Sequence, residues 1–197
     1  MSHLPYEQYF RPFPVLHTRE VTLRALEMRD AADIYEYARR PEVTRYVTWE
    51  SYHSIEDARR YLRWILDCYR RREGMTFGIE LRGTRKLIGT CSYVQMDYIN
   101  RTAEIGYTIS SDYWNHGLMT QAAAALVHYG FETIGLTRMQ GRCMPENAAS
   151  ARVLQKLGMR CEGTLRNGVF YRGAAHDVLL FAMTDGDFRT LYTPPQG

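Results

Sequence analysis

Trp114–Gly135 reads WNHGLMTQAAAALVHYGFETIG and follows directly on the strand-like AEIGYTI of residues 103–109. Its reading decides the architecture. Four consecutive alanines, Ala122 to Ala125, are the best helix formers and make a thin helix able to lie close on a sheet. Gly117, just before them, is the residue with the freest backbone. A strand that tips through glycine into a helix leaves the first helical N–H groups without partners, at the positive end of the helix dipole. Such groups converge on a concave site that suits phosphate oxygens. Gly117 also lets an anion come near the backbone, because no Cβ intervenes. A plain turn is the alternative reading of a single glycine. The stretch has neither the Gly-Lys-Ser/Thr of a P-loop nor the three glycines of a dinucleotide fingerprint.

Outward from this segment, the chain alternates between strand and helix patterns. Residues 19–27 alternate Val21 and Leu23 on one face and predict a strand. Asp30 is placed to cap a short helix over 31–40, which stops before Pro41, and 43–53 is a polar-aromatic loop. Ser54, with Asp57 three residues on, opens a helix in which Ile55, Ala58, Leu62, Ile65 and Tyr69 recur at helical spacing. Residues 75–97 predict two strands joined at Gly83-Thr84, and 101–110 a third. Then come a helix over about 118–133, a strand over 137–144, and a helix capped by Asn147 and stopped by Gly158. Strands over 159–166 and 176–184 close the pattern. Residues 1–17 read as an extended arm, and the tail from Asp185, with Pro194-Pro195, as frayed. This order predicts an α+β fold, a mixed sheet with helices on both faces.

The totals exclude several classes. The 197 residues show no composition break and suit one domain over 1–197 with a core at about 16–184. A net charge of +3 is too mild for a nucleic-acid partner. The run Arg70–Arg72 closes a predicted helix, where cations suit the dipole. Of the four cysteines, Cys91, Cys143 and Cys161 lie in apolar strand-like runs and read as buried free thiols. None has metal-site spacing. MSHLPYEQYFRPFP has no apolar core behind a basic flank, and no stretch is apolar enough to span a bilayer. The expectation is a cytoplasmic protein with no membrane partner; a homodimer stays open.

Two stretches, EIGYTISSDYWNHGLMTQAA and NAASARVLQKLGMRCEGTLR, taken in this order, resemble the GCN5-related N-acetyltransferase (GNAT) superfamily. Within it the chain resembles the RimJ/RimL branch, which acetylates ribosomal-protein N-termini. LHTREVTLRALEMRDAADIYEYARRPEVTRYVTWESYHSIEDARRYL is similar to that branch's N-terminal pattern, and HDVLLFAM to its closing strand. The likeness spans about Leu16 to Met183. It implies a mixed, mostly antiparallel sheet whose central parallel pair, AEIGYTI and TRMQGRC, splays apart. It further implies acetyl-CoA as cofactor, with CoA as product. The pantetheine arm would pair with backbone near Thr108, Ile109, Ser110 and Ser111. The pyrophosphate would lie on the loop Trp114, Asn115, His116, Gly117, Leu118, Met119 and Thr120. Asn147 would bond the pantetheine, and Ser150 would lie near the sulfur. The family loop usually runs Arg/Gln-x-x-Gly-x-Gly/Ala; here Trp114, Gly117 and Met119 hold its three positions. Gln121 stands where an acidic residue is common, and Val169 where some members carry a catalytic glutamate.

The reaction implied is direct attack of a neutral amine on a thioester carbonyl. Backbone N–H groups near Ile109 to Ser111 are candidates for the oxyanion. Ser150 is the candidate donor to the leaving thiolate, and Glu104 the candidate base, with Glu162 as second choice. For Glu104 the plain alternative is a surface strand carboxylate; for Asn147 and Ser150 it is an ordinary helix cap and first turn. Tyr46, Trp49, Tyr52, Phe170 and Tyr171 are candidate walls of the acceptor site, and packing is their alternative role. The acceptor is an amine, foremost a protein or peptide N-terminus. A small-amine acetyltransferase acting on a polyamine, amino sugar or toxin, and a CoA-binding module without turnover, are the competing readings.

Overall fold

One eight-stranded sheet carries the chain from Leu16 to Thr184 in the order β1-β2-β3-β4-β5-β6-β8-β7. This computed structural model describes residue 9 and residues 12–192. The strands are β1 (Leu16–His17), β2 (Val21–Arg24), β3 (Met75–Leu81), β4 (Leu87–Asp97), β5 (Thr102–Ile109), β6 (Arg138–Cys143), β7 (Arg160–Tyr171) and β8 (Ala174–Thr184). The helices are α1 (Ala31–Ala38), α2 (Pro41–Thr44), α3 (Ile55–Arg71), α4 (Leu118–His128), α5 (Ala148–Lys156) and α6 (Asp185–Tyr192). Neighbouring strands are antiparallel except β5 and β6, which run parallel.

Strand alternation sorts the apolar side chains to two faces. Phe77, Ile79, Cys91, Tyr93, Ile105 and Met139 form one core with Ala122, Ala123, Leu126 and Val127 of α4. The small alanines let α4 lie close on the strands. A second core joins Leu26, Ile34 and Leu87 to Ala58, Leu62 and Ile65 of α3. Ser54 and Asp57 form the expected capping box at the start of α3.

β5 and β6 pair from Thr102↔Arg138 to Ile105↔Gly141. β5 continues to Ile109 and β6 to Cys143, so the two strands part there and leave the splay between them.

Several local expectations change. The strand over 19–27 shortens to Val21–Arg24. Asp30 does not cap α1 with its side chain; its buried carboxylate instead takes two bonds from Arg24 and one from the Glu27 N–H. The loop over 43–53 begins inside α2, where Pro41 starts a helical turn. The helix expected over 118–133 turns into a π-helix at Tyr129–Ile134. The Tyr93 hydroxyl donates to the Leu126 carbonyl at 2.6 Å, occupying an acceptor of the α-helical ladder. The last two strands are longer than expected and meet in a hairpin at Arg172-Gly173, both with positive φ. The tail does not fray at Asp185: α6 buries Phe188, which stacks on Phe131 at 4.8 Å. Pro194-Pro195 and most of the N-terminal arm lie outside the described residues. From the arm, Phe13 packs on Phe77 and Tyr69. Cys161 is exposed, because β7 is the edge strand, whereas Cys68, Cys91 and Cys143 are buried.

Candidate active site

The loop after β5 carries the helix terminus expected from the sequence. Asn115 (φ 63°) and Gly117 (φ 76°) are both left-handed, and this double twist turns the chain into α4. The first bond of α4 runs from the Gln121 N–H to the Gly117 carbonyl at 3.0 Å. No side chain caps this terminus, so the N–H groups of Leu118, Met119 and Thr120 are the unpartnered ones of the first turn. Trp114, Asn115, His116 and Gly117 are exposed. A Cβ built on Gly117 meets nothing within 4 Å, so the space above it is open to a ligand. Gln121 turns away, donating to Glu20 at 2.6 Å and tying α4 to the β1–β2 turn.

At the splay the ladder decides which groups are free. The Ser110 N–H donates to the Ile88 carbonyl at 2.8 Å. Thr108 and Ser110 therefore turn their backbone toward β4. By the alternation, Tyr107 and Ile109 turn theirs toward the gap beside β6. The Ile109 carbonyl is taken by the Trp114 indole N–H at 3.0 Å. Of the run Thr108 to Ser111, the backbone group left facing the gap is thus the Ile109 N–H, with the backbone of Tyr107 beside it.

Ser111 is engaged elsewhere. Its hydroxyl accepts from Arg40 at 2.8 Å and donates to Glu42 at 3.0 Å, and Arg40 holds Asp112 with two bonds of 2.6 and 2.7 Å. The Arg40 guanidinium keeps the Asp112 carboxyl below the ordinary range. This cluster braces the loop against α1 and α2. Sequence reading missed it, since its members lie some seventy positions apart.

Across the gap, Asn147 caps α5, its side-chain oxygen accepting from the Ser150 N–H at 3.1 Å. Its NH2 is the group left for a ligand. Ser150 Oγ lies 3.1 Å from the Tyr107 hydroxyl, which also donates to the Ser150 carbonyl at 3.1 Å. Burial pushes the Tyr107 phenol well up, with the Ser150 bond opposing. Burial also raises the Cys143 thiol, with the neighbouring Ser150 side chain opposing. Tyr107 was legible only as a core position in phase with Ile105.

Glu104 is buried on the opposite strand face. It accepts from Arg142 Nε at 2.9 Å and from Gln140 Nε2 at 3.1 Å. These bonds cross the last rungs of the β5–β6 pair. Glu162, the second choice, is bound to Arg138, which lowers its pKa.

The aromatic candidates divide. Phe170 and Tyr171 are neighbours in β7 and face opposite sides. Phe170 is 75% exposed, whereas Tyr171 is buried and donates to the Thr44 carbonyl at 3.1 Å, clasping the hairpin to α2. Trp49 and Tyr52 pair at 5.3 Å against the α3 core, and Tyr46 lies under the Arg45 guanidinium.

The acetyltransferase (GNAT) domain model matches residues 20–160. The chain belongs to the GNAT family. It is 34% identical over 171 residues to the uncharacterized N-acetyltransferase YoaA of Bacillus subtilis, covering 87% of this chain and 97% of YoaA. The ribosomal-protein-serine acetyltransferase of Escherichia coli is 34% identical over 97 residues, 49% of this chain and 54% of its own. The spermidine N(1)-acetyltransferase of the same organism is 30% identical over 154 residues, 78% and 80% of the two chains. A GNAT acetyltransferase structure from Bacillus anthracis superposes with a TM-score of 0.79 at 26% identity, covering 88% and 99%. RimL, a ribosomal L7/L12 α-N-protein acetyltransferase in complex with CoA, shares the fold with a TM-score of 0.77 at 22% identity, covering 87% and 98%. The chain is thus a RimJ/RimL-like acetyltransferase enzyme of a family that uses acetyl-CoA. No helix among the described residues is long and apolar enough to cross a membrane.

Proposed function

We propose that this GNAT enzyme acetylates the α-amine of a protein or peptide N-terminus in the cytoplasm, with residues 1–197 acting as one catalytic domain. The observation that carries the acceptor class is the engagement of Glu104 by Arg142 and Gln140. Oε1 already accepts from Arg142 and Oε2 from Gln140, so the carboxylate is committed to partners within the sheet and is not a free base aimed at an acceptor. Neutralising a lysine at pH 7 costs about 4.6 kcal/mol, against roughly 1.4 kcal/mol for an α-amine. A site without a strong base therefore suits the α-amine.

The unpartnered groups support a place for the donor. The Leu118, Met119 and Thr120 N–H groups hold the pyrophosphate over Gly117, and Asn115, His116 and Trp114 form the rim. The Tyr107 backbone holds the pantetheine on one lip, and the Asn147 NH2 on the other. Bound acetyl-CoA supplies an activated acetyl thioester. The Ile109 N–H serves the oxygen on which charge develops. The Glu104 carboxylate faces the positive charge that grows on the attacking nitrogen. Ser150 Oγ gives its proton to the departing sulfur as the C–N bond forms and the C–S bond breaks. The nitrogen loses one proton to water, and water returns one to Ser150.

Sequence similarity to a spermidine acetyltransferase favours a polyamine as the second reading. The Arg142 guanidinium beside Glu104 works against a polycation. Thiol release from acetyl-CoA, followed with short peptides, polyamines and aminoglycosides, decides between them. Release with peptides bearing a free N-terminus is the expected result. Release with polyamines alone overturns the α-amine assignment.

A further inference from the structure

Tyr107 stands just past Ile105↔Gly141, the last rung of the parallel pair. Its backbone faces the gap from the β5 lip. Its side chain crosses to the other lip, where the hydroxyl lies 3.1 Å from both the carbonyl and the Oγ of Ser150, in the helix that follows β6. One residue thus supplies a backbone edge on one side of the cleft and a hydrogen bond to the hydroxyl on the other.

We propose that Tyr107 is a positioning residue for Ser150, its hydroxyl fixing the serine Oγ against the N–H groups of the β5 lip, so that oxyanion donor and proton donor address the same thioester. The proposal rests on the reading of Ser150 as proton donor given above.

The phenol has one proton and can also accept. With that proton on the Ser150 carbonyl, which can only accept, Oγ donates to the phenol oxygen and is held in this rotamer beside the gap; as the Oγ proton passes to the sulfur, the phenol can turn its own proton to Oγ. Charge that develops on Oγ as its proton leaves is then met by a donor already within hydrogen-bond distance. Burial keeps Tyr107 neutral, so it acts by hydrogen bonding and not by giving up its proton. Without it, Ser150 can rotate to the Cys143 thiol, its other neighbour.

Tyr107→Phe removes the hydroxyl and keeps the ring in the core. The reaction is followed with acetyl-CoA and whichever amine of the panel the wild type acetylates, or as acetyl-CoA hydrolysis if none is. Tyr107→Phe is expected to lower kcat roughly tenfold, leave the KM for acetyl-CoA within about twofold, and shift Tm little. Ser150→Ala is expected to lower kcat at least as far, with no further loss in the double variant, because both changes break one unit. Independent losses that multiply overturn the proposal, as does an unchanged kcat in Tyr107→Phe. A raised KM with kcat intact would reduce Tyr107 to a packing role. A silent Ser150→Ala removes the serine as donor and the proposal with it; an acceptor other than an α-amine leaves the coupling readable.

Discussion

At the scale of single residues, Gly117 meets two demands at once. Its φ of 76° is one that an L side chain adopts only at a cost of about 1–2 kcal/mol. The space its missing Cβ would enter is open. The first demand was legible in the sequence as a glycine between strand and helix; the second is a property of the folded loop. Gly117→Asp places a carboxylate where the phosphates would sit, at the mouth of uncapped N–H groups. We expect acetyl-CoA binding to be lost in calorimetry while the melting temperature falls only slightly, since nothing inside the fold is displaced. Unchanged affinity would remove the phosphate role of this terminus. Ser150 and Asn147 were legible as a first turn and its cap; the Tyr107 hydroxyl at Ser150 was not, because no local pattern aims a strand side chain at a helix forty-three positions away.

At the scale of elements, the splay depends on how α5 sits on β6. A Cβ on Gly141, the last paired residue of β6, would lie 2.6 Å from Leu154 Cδ2 and 3.5 Å from Ile105 Cγ1. Leu154 is buried, so its side chain has little room to yield. Gly141→Ala is expected to cost about 1–3 kcal/mol by overpacking. Leu154→Ala alone should cost about 2–5 kcal/mol through its cavity. Urea unfolding of the double variant should show less than the sum, because the new methyl fills part of the cavity. Strict additivity would mean that the helix does not rest on this glycine. The same reasoning explains what the pattern could not show about α4. Its alanines announced a thin helix, but not the switch to a π-helix, which begins three residues after Leu126, where the Tyr93 hydroxyl reaches the helix from another element.

At the scale of the whole molecule, the two cores enclose many phenols. Burial holds Tyr37, Tyr61, Tyr69, Tyr93 and Tyr107 above the ordinary tyrosine value, and pushes Tyr52 up to about 12. Tyrosines in the unfolded chain lose their protons near pH 10. Above that pH the unfolded state binds fewer protons than the folded one, so stability is intact below about pH 10 and is lost as pH rises through the folded values. Exposed tyrosines should give a first phenolate absorbance change near their ordinary value. The buried ones should appear in a second step that coincides with loss of the far-ultraviolet circular dichroism signal. A single smooth titration with unchanged dichroism would contradict this burial. The sequence by itself determined the alternation of strands and helices, the glycine-led turn into α4 and the Asn147 cap, because each depends on residues close together along the chain. Only the tertiary structure decided where β5 and β6 part, which backbone groups face the gap, that Arg142 and Gln140 engage Glu104, and that Tyr107 meets Ser150. Those relations depend on strand register and on side chains far apart along the chain, and a register becomes definite only when both cores are packed.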